Sequence, residues 1–232
     1  KNAMEQIYAN GHIPIVVGGT GFYIQALLYD IDFTSTAQDD TYRAELENLV
    51  KEKGAAYLHN MLRKVDPKSA EDIHANNVKR VIRALEYYRQ TGQKMSEHNE
   101  EERRKESPYE FVYFVLNAPR EQLYARIDRR VDQMIEEGLV DEVKHLKELG
   151  CTKEMVSMQG LGYKEILAYL DGECKLDTAV YTIKRDTRHF AKRQLTWFRR
   201  ERQVTWIQKE VYDYDEDRIL KAMLSHLEGR IC

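Results

Sequence analysis

A chain of 232 residues, 42% hydrophobic and 32% charged, is long enough for one large globular domain or for a core with one sizeable insertion. No apolar run approaches the ~20 residues that cross a bilayer, and no charged-then-apolar signal segment opens the chain, so no membrane span and no membrane partner is expected. Cys151, Cys174 and Cys232 lack Cys-x-x-Cys spacing, which disfavours a zinc site or a disulfide framework and suits a reducing cytoplasm, while the net charge of −3 conceals strong local asymmetry.

In chain order, Lys1 to Asn10 reads as a helix already under way, with Gly11 as its stop. Ile13-Pro14-Ile15-Val16-Val17 then forms an unbroken, largely β-branched run. Such a run suits a strand buried on both faces of a mainly parallel sheet covered by helices, with Pro14 near its start. Gly18-Gly19-Thr20-Gly21 follows, and glycines there let the backbone turn and approach a ligand closely before a helix at Gln25 to Tyr29. Ligands of open α/β sheets bind beyond the carboxyl ends of strands, which makes Thr20 a candidate site residue. The segment is neither a Walker A loop nor a dinucleotide fingerprint, and no Gly-Lys-Ser or Gly-Lys-Thr occurs in the chain. Without a ligand the same residues make an ordinary glycine-rich turn.

Asp32 to Asp40 is a polar connector, and Thr41 to Gln93 is helical throughout, with ends at Gly54 and Gly92 and a break at Asp66-Pro67. Leu46, Leu49 and Val50 share one apolar face, as do Tyr57, Leu58, Met61, Leu62 and Val65, and Val78, Val81, Ile82, Leu85 and Tyr88. Glu97 to Glu106 is almost wholly charged and reads as a solvated loop. Phe111 to Leu116 returns to a strand, so a helical block is inserted between two strands of one sheet. The expected fold is α/β, a parallel sheet covered by helices with an all-helical insertion, divided as 1–34 with 109–232 for the core and 35–108 for the insertion. Helices follow at Arg120 to Glu137 and Leu139 to Leu149. A loop at Met158 to Glu165 opens another, and Asp177 caps a long helix reaching Arg202. Val204 to Ile207 is a last strand and Arg218 to Leu227 a last helix.

The helix from Asp177 sorts its charges by angle. Arg185, Arg188, Lys192 and Arg199 fall within a ~60° sector, opposite Val180, Ile183, Phe190, Trp197 and Phe198. From Lys184 to Arg202 eight Lys or Arg stand against two acids, Asp186 and Glu201, a local balance of +6. A stripe of that kind is the footprint of a polyanion, or else a solvated basic face. Arg126 and Arg130 stand at i,i+4 and repel unless an anion lies between them or Asp128 and Asp132 neutralise them in an intrahelical ladder. Composition favours the ladder. Position just past the Phe111 strand favours a diphosphate clamp by two guanidinium groups. Gln159-Gly160-Leu161-Gly162-Tyr163 combines an amide that pairs with an adenine edge, two flexible turns and a ring for stacking, though alone it is a helix-opening loop. Lys79, Arg80 and Arg83 cluster after Asn76-Asn77. The seven histidines stand singly, no nucleophile spacing is recognisable, and His-x-x-x-His is absent, so a protein-held metal has no support.

Taken in order, Val16-Val17-Gly18-Gly19-Thr20-Gly21-Phe22-Tyr23, Ile73 to Glu86, Arg126 to Met134, Gln159 to Glu165 and Lys192-Arg193-Gln194-Leu195-Thr196-Trp197-Phe198-Arg199 resemble the tRNA dimethylallyltransferase (tRNA isopentenyltransferase) family over nearly the whole chain. Ala75 and Asn77 depart from the family pattern. The resemblance implies a P-loop-NTPase-like core and transfer of a dimethylallyl group from dimethylallyl diphosphate to the exocyclic amine of the adenine 3′ of the anticodon in tRNA. It also implies Mg2+ on the diphosphate, and the expected setting, with the cysteines as they are, is a cytoplasmic monomer. Carried over residue by residue, it puts Thr20 near the reacting adenine and Arg130 and Arg126 on the diphosphate. Arg43, Lys79, Arg80, Arg83, Gln159, Gly160, Gly162, Tyr163, Lys192 and Arg193 would face tRNA. Family members carry a P-loop and, shortly after it, an aspartate acting as general base, and neither segment occurs in these residues. The chain by itself is therefore expected to bind tRNA without transferring a prenyl group, with Ile15 and Val17 exposed. Two rival readings are an adenylate isopentenyltransferase acting on a free nucleotide and a non-catalytic RNA-binding module. The basic stripe and the helical insertion favour tRNA over a free nucleotide.

Overall fold

The computed structural model describes residues 1–31 and 40–228. Most of the expected polar connector, and Cys232, therefore lie outside the described residues. The chain divides into two compact units, Lys1–Gly18 with Phe22–Glu110 and Gly19–Gly21 with Phe111–Cys232. No helix among the described residues is long and apolar enough to cross a membrane.

The first unit begins with α1 (Asn2–Ala9), which stops at Asn10 before Gly11 at φ +73°, as the sequence suggests. The strand expected at Ile13–Val17 is not formed. Its residues have irregular backbone, and Ile15 and Val17 are 85% and 90% exposed. β-branching favours extended backbone, but a strand exists only when a neighbour takes its hydrogen bonds, and none of the described residues does so. The helix α2 (Gly21–Leu28) starts four residues earlier than expected.

The helical tract is realised as α3 (Asp40–Lys53), α4 (Ala55–Val65), α5 (Pro67–Asp72) and α6 (Val78–Thr91). Gly54 at φ +82° separates α3 from α4, and Gly92 closes α6 in the left-handed conformation. The apolar faces read from the periodicity meet in one core built on Leu46, Leu58, Leu62, Val81, Ile82 and Leu85. The charged stretch after Gly92 is a helix, α7 (Met95–Arg104), rather than a solvated loop. Lys94 pairs with Glu97, Arg104 with Glu100 and Lys105 with Glu102 at helical spacing, and Lys68 reaches Glu100 from α5.

Asp66 anchors that arrangement. Its fully buried carboxylate accepts from Ser69 N and Oγ at 3.0 and 2.6 Å and from Ser96 N and Oγ at 3.0 and 2.6 Å. One side chain thus caps the first turns of both α5 and α7.

The second unit holds a two-stranded parallel sheet, β1 (Tyr113–Asn117) beside β2 (Val204–Gln208), in register Tyr113 to Val204 and Asn117 to Gln208. The unit also holds α8 (Arg120–Glu136), α9 (Leu139–Glu148), α10 (Tyr163–Leu170), α11 (Leu176–Phe198) and α12 (Glu216–Ser225). α11 is capped at Lys175, not Asp177, and ends four residues before Arg202. Val131, Val143, Ile166 and Ile183 form its core with Leu139, Leu167 and Met158.

Candidate functional site

Thr20 is exposed and lies in the short irregular stretch that leads into α2. The glycines on either side of it are packed against α11. Gln194 Nε2 donates to the Gly19 carbonyl at 2.7 Å, and a Cβ on Gly21 would fall 2.1 Å from Cδ1 of Trp197. None of Gly18, Gly19 and Gly21 has positive φ. Gly19 and Gly21 therefore serve close approach by α11 rather than a left-handed turn, while a Cβ on Gly18 would meet nothing within 4 Å. Gln194 and Trp197 were not among the candidate site residues. Their i,i+3 spacing is a visible signal, yet nothing in the sequence says what that face meets.

Asp128 and Asp132 of α8 do not neutralise Arg126 and Arg130. Asp128 accepts from Arg188 Nη1 at 2.6 and 2.7 Å, and Asp132 pairs with Lys184 at 2.5 Å. Residues one turn apart on α8 meet residues one turn apart in reverse order on α11, so the two helices run antiparallel. Two members of the expected basic stripe are consequently engaged within the protein, Arg188 with Asp128 and Arg185 with Asp186 at 2.8 Å. Lys192, Arg193 and Arg199 remain exposed, with Arg193 stacked over Phe190 at 5.6 Å and no acid beside the other two among the described residues.

Arg126 and Arg130 project from the flank of α8 roughly 160° round the helix from Asp128 and Asp132, taking 100° per residue. Both are exposed. Arg130 donates to Glu137 at 3.1 Å, while Arg126 has no acidic partner among the described residues. Thr20 is thus held by α11, whereas these two arginines point away from the α11-facing side of α8.

The loop before α10 is more rigid than its glycines suggest. Gln159 ends a 3₁₀ turn, exposed, with its amide 3.5 Å from the Lys153 carbonyl. Gly160 has ordinary extended backbone, and only Gly162, at φ +101°, requires glycine. The Gly162 N–H donates to the buried Glu165 carboxylate at 2.9 Å, which fixes the first turn of α10. Tyr163 donates its hydroxyl to Glu142 of α9, and that carboxylate, with burial second, pushes the phenol pKa up.

In the first unit, Arg43 does not present a free fork. Its Nε and Nη2 donate to Oε1 and Oε2 of the buried Glu86 at 2.9 and 2.7 Å. Lys79, Arg80 and Arg83 are different. All three are exposed on the first two turns of α6, with no acid in that first turn and no side-chain partner among the described residues. The helix N-terminus already carries partial positive charge, so three cations there raise the local potential further.

The IPP transferase family model matches residues 1–201 of the chain. The chain belongs to the IPP transferase family. A tRNA dimethylallyltransferase of Lachnoclostridium phytofermentans is 60% identical over 227 residues, which are 98% of this chain and 72% of that relative. Among solved structures, the tRNA isopentenylpyrophosphate transferase of Bacillus halodurans superposes with a TM-score of 0.59 at 40% identity, covering 97% of this chain and 73% of that one. A eukaryotic dimethylallyltransferase captured acting on tRNA superposes with a TM-score of 0.75 at 31% identity, covering 96% and 58%.

Within this IPP transferase, burial raises the Glu201 carboxyl pKa, and the neighbouring Trp197 lowers it by less. Among the described residues no three His, Cys, Asp or Glu side chains stand together as a set able to hold a metal ion.

Proposed function

We propose that this IPP transferase moves a dimethylallyl group from dimethylallyl diphosphate to the exocyclic amine of the adenine 3′ of the anticodon in tRNA. Family membership supplies the reaction class. The observation that carries the choice of tRNA is the distribution of cations without partners. Lys79, Arg80 and Arg83 on α6, and Lys192 and Arg199 on α11, have no neutralising acid among the described residues, whereas Arg43 and Arg188 do. Unneutralised cations on helix faces are what a phosphate backbone requires, and a free nucleotide has no use for so many.

In the transfer, the amine nitrogen bonds to the dimethylallyl carbon while the carbon–oxygen bond to the diphosphate breaks. The bonding pair leaves on the diphosphate, and the amine proton passes to a base. In this reading Thr20 lies near the adenine, with the base turned out of its stack to reach it. Arg126 and Arg130 stabilise charge growing on the diphosphate. Gln159, Gly160, Gly162 and Tyr163 form the loop that meets tRNA, and Arg193 acts beside Lys192. Magnesium would be held on the diphosphate substrate, where it would supply charge neutralisation for the leaving group. The working setting is a cytoplasmic monomer.

The test replaces the matching stretch of the Lachnoclostridium relative with residues 1–232 and supplies dimethylallyl diphosphate, magnesium and unmodified tRNA. Prenylated tRNA is the expected product. Transfer to free adenylate but not to tRNA would reassign the substrate, and tRNA binding without transfer to either acceptor would reduce the chain to an RNA-binding module.

A further inference from the structure

We propose that Gln194 and Trp197 are positioning residues, which set the backbone of Gly19-Thr20-Gly21 and through it the place of the Thr20 hydroxyl. The inference deepens the transfer reading and rests on it for the role of Thr20.

Interactions on both sides of Thr20 support this. Gln194 Nε2 donates to the Gly19 carbonyl at 2.7 Å, and a Cβ on Gly19 would stand 2.5 Å from that nitrogen. A Cβ on Gly21 would stand 2.1, 2.4 and 2.9 Å from Cδ1, Nε1 and Cγ of Trp197. The first clash is with the end of a flexible side chain and is relieved by a small rotation. The second is with a ring, which cannot bend away. Because neither glycine has positive φ, backbone freedom does not explain them, and the space taken by α11 does.

Gln194 and Trp197 lie one turn apart on a single helix face, so one rigid element grips the segment before and after Thr20. Gly19–Gly21 is also the one stretch before Phe111 that belongs to the second unit. Lys192 and Arg193 immediately precede Gln194 on α11. Cations proposed to meet tRNA and the side chains that hold Thr20 therefore share one helix, which ties the seating of tRNA phosphates to the placement of the hydroxyl. Positioning of this kind matters to rate because a displacement of about 1 Å at a reacting group costs up to about a hundredfold.

The experiment uses the same chimeric chain, residues 1–232 within the Lachnoclostridium relative. Gln194→Met keeps length and removes the donor. It is expected to lower kcat about tenfold or more with KM for tRNA and for dimethylallyl diphosphate within about twofold, and to speed amide hydrogen exchange at residues 19–22. Gly21→Ala is expected to lower kcat comparably in the wild-type background, and by less than about threefold when Trp197→Val has removed the ring. Unchanged exchange at residues 19–22 in Gln194→Met, or an equal effect of Gly21→Ala in both backgrounds, overturns the proposal. Should Gly21→Ala fail to fold, the Gln194→Met exchange and kinetics decide. Should the wild-type chimera show no transfer, the functional reading fails on its own, and the exchange measurement still decides whether α11 holds the segment.

Discussion

Arg43 closes a two-bond fork on Glu86, linking α3 to α6 through Nε–Oε1 at 2.9 Å and Nη2–Oε2 at 2.7 Å. A carboxylate only 7% exposed needs that partner, because a buried charge left alone is costly. Arg43→Ala is therefore expected to destabilise the helical unit by about 1–3 kcal/mol and to leave the salt dependence of tRNA binding unchanged. Thermal unfolding together with binding at several salt concentrations checks both halves. A stable variant with a shallower slope would return Arg43 to the phosphate backbone.

Asp66 predicts a pH dependence. Burial raises its pKa, but the hydrogen bonds from Ser69 and Ser96 together outweigh burial and hold it below the ordinary value of 3.8. A depressed folded pKa contributes stability that is present above the unfolded value and lost as pH falls through the folded one. Asp66→Asn is expected to cost about 2–3 kcal/mol at neutral pH, with the difference from wild type shrinking below about pH 4. Denaturant melts at several pH values measure it. A difference constant from neutral pH down to about pH 2 would mean that the carboxylate's charge is not what caps the two helices.

On α11, neighbouring cations separate by role. Arg188→Ala removes the partner of Asp128 and is expected to lower stability by about 1 kcal/mol, the pair being partly solvated. Lys192→Ala with Arg199→Ala is expected to leave stability unchanged and to reduce the log–log salt slope of tRNA binding by about 0.7–0.9 for each phosphate no longer neutralised. Equal slopes in wild type and the double variant would assign Lys192 and Arg199 to solvent.

The α6 cluster gives the sharpest contrast with Arg43. Replacing Lys79, Arg80 and Arg83 by Gln is expected to weaken tRNA binding, reduce the slope by about 2 to 3, and raise the melting temperature slightly. The rise follows because three mutually repelling charges leave a helix N-terminus. A fall in stability with unchanged binding would mean that these residues hold the unit together.

The sequence by itself determined α1 and the helices α3 to α6, a parallel sheet with strands at Tyr113–Asn117 and Val204–Gln208 though not which strand pairs with which, and the family. Apolar period, glycine stops and ordered motifs are local properties, readable without knowing what each face meets. Tertiary structure alone decided which charges are engaged. Asp128, two residues from Arg126 and Arg130, binds Arg188 sixty positions along the chain, and Arg43 binds Glu86. It also turned a charged stretch into α7, because Asp66 thirty residues earlier caps Ser96, and denied Ile13–Val17 the name of strand. Gly19 and Gly21 show the same limit: a missing side chain leaves room in the sequence, and only the packed helix shows that Gln194 and Trp197 fill it. Ion pairing, capping and strand formation each need a partner brought by folding, and one residue's local preference cannot name it.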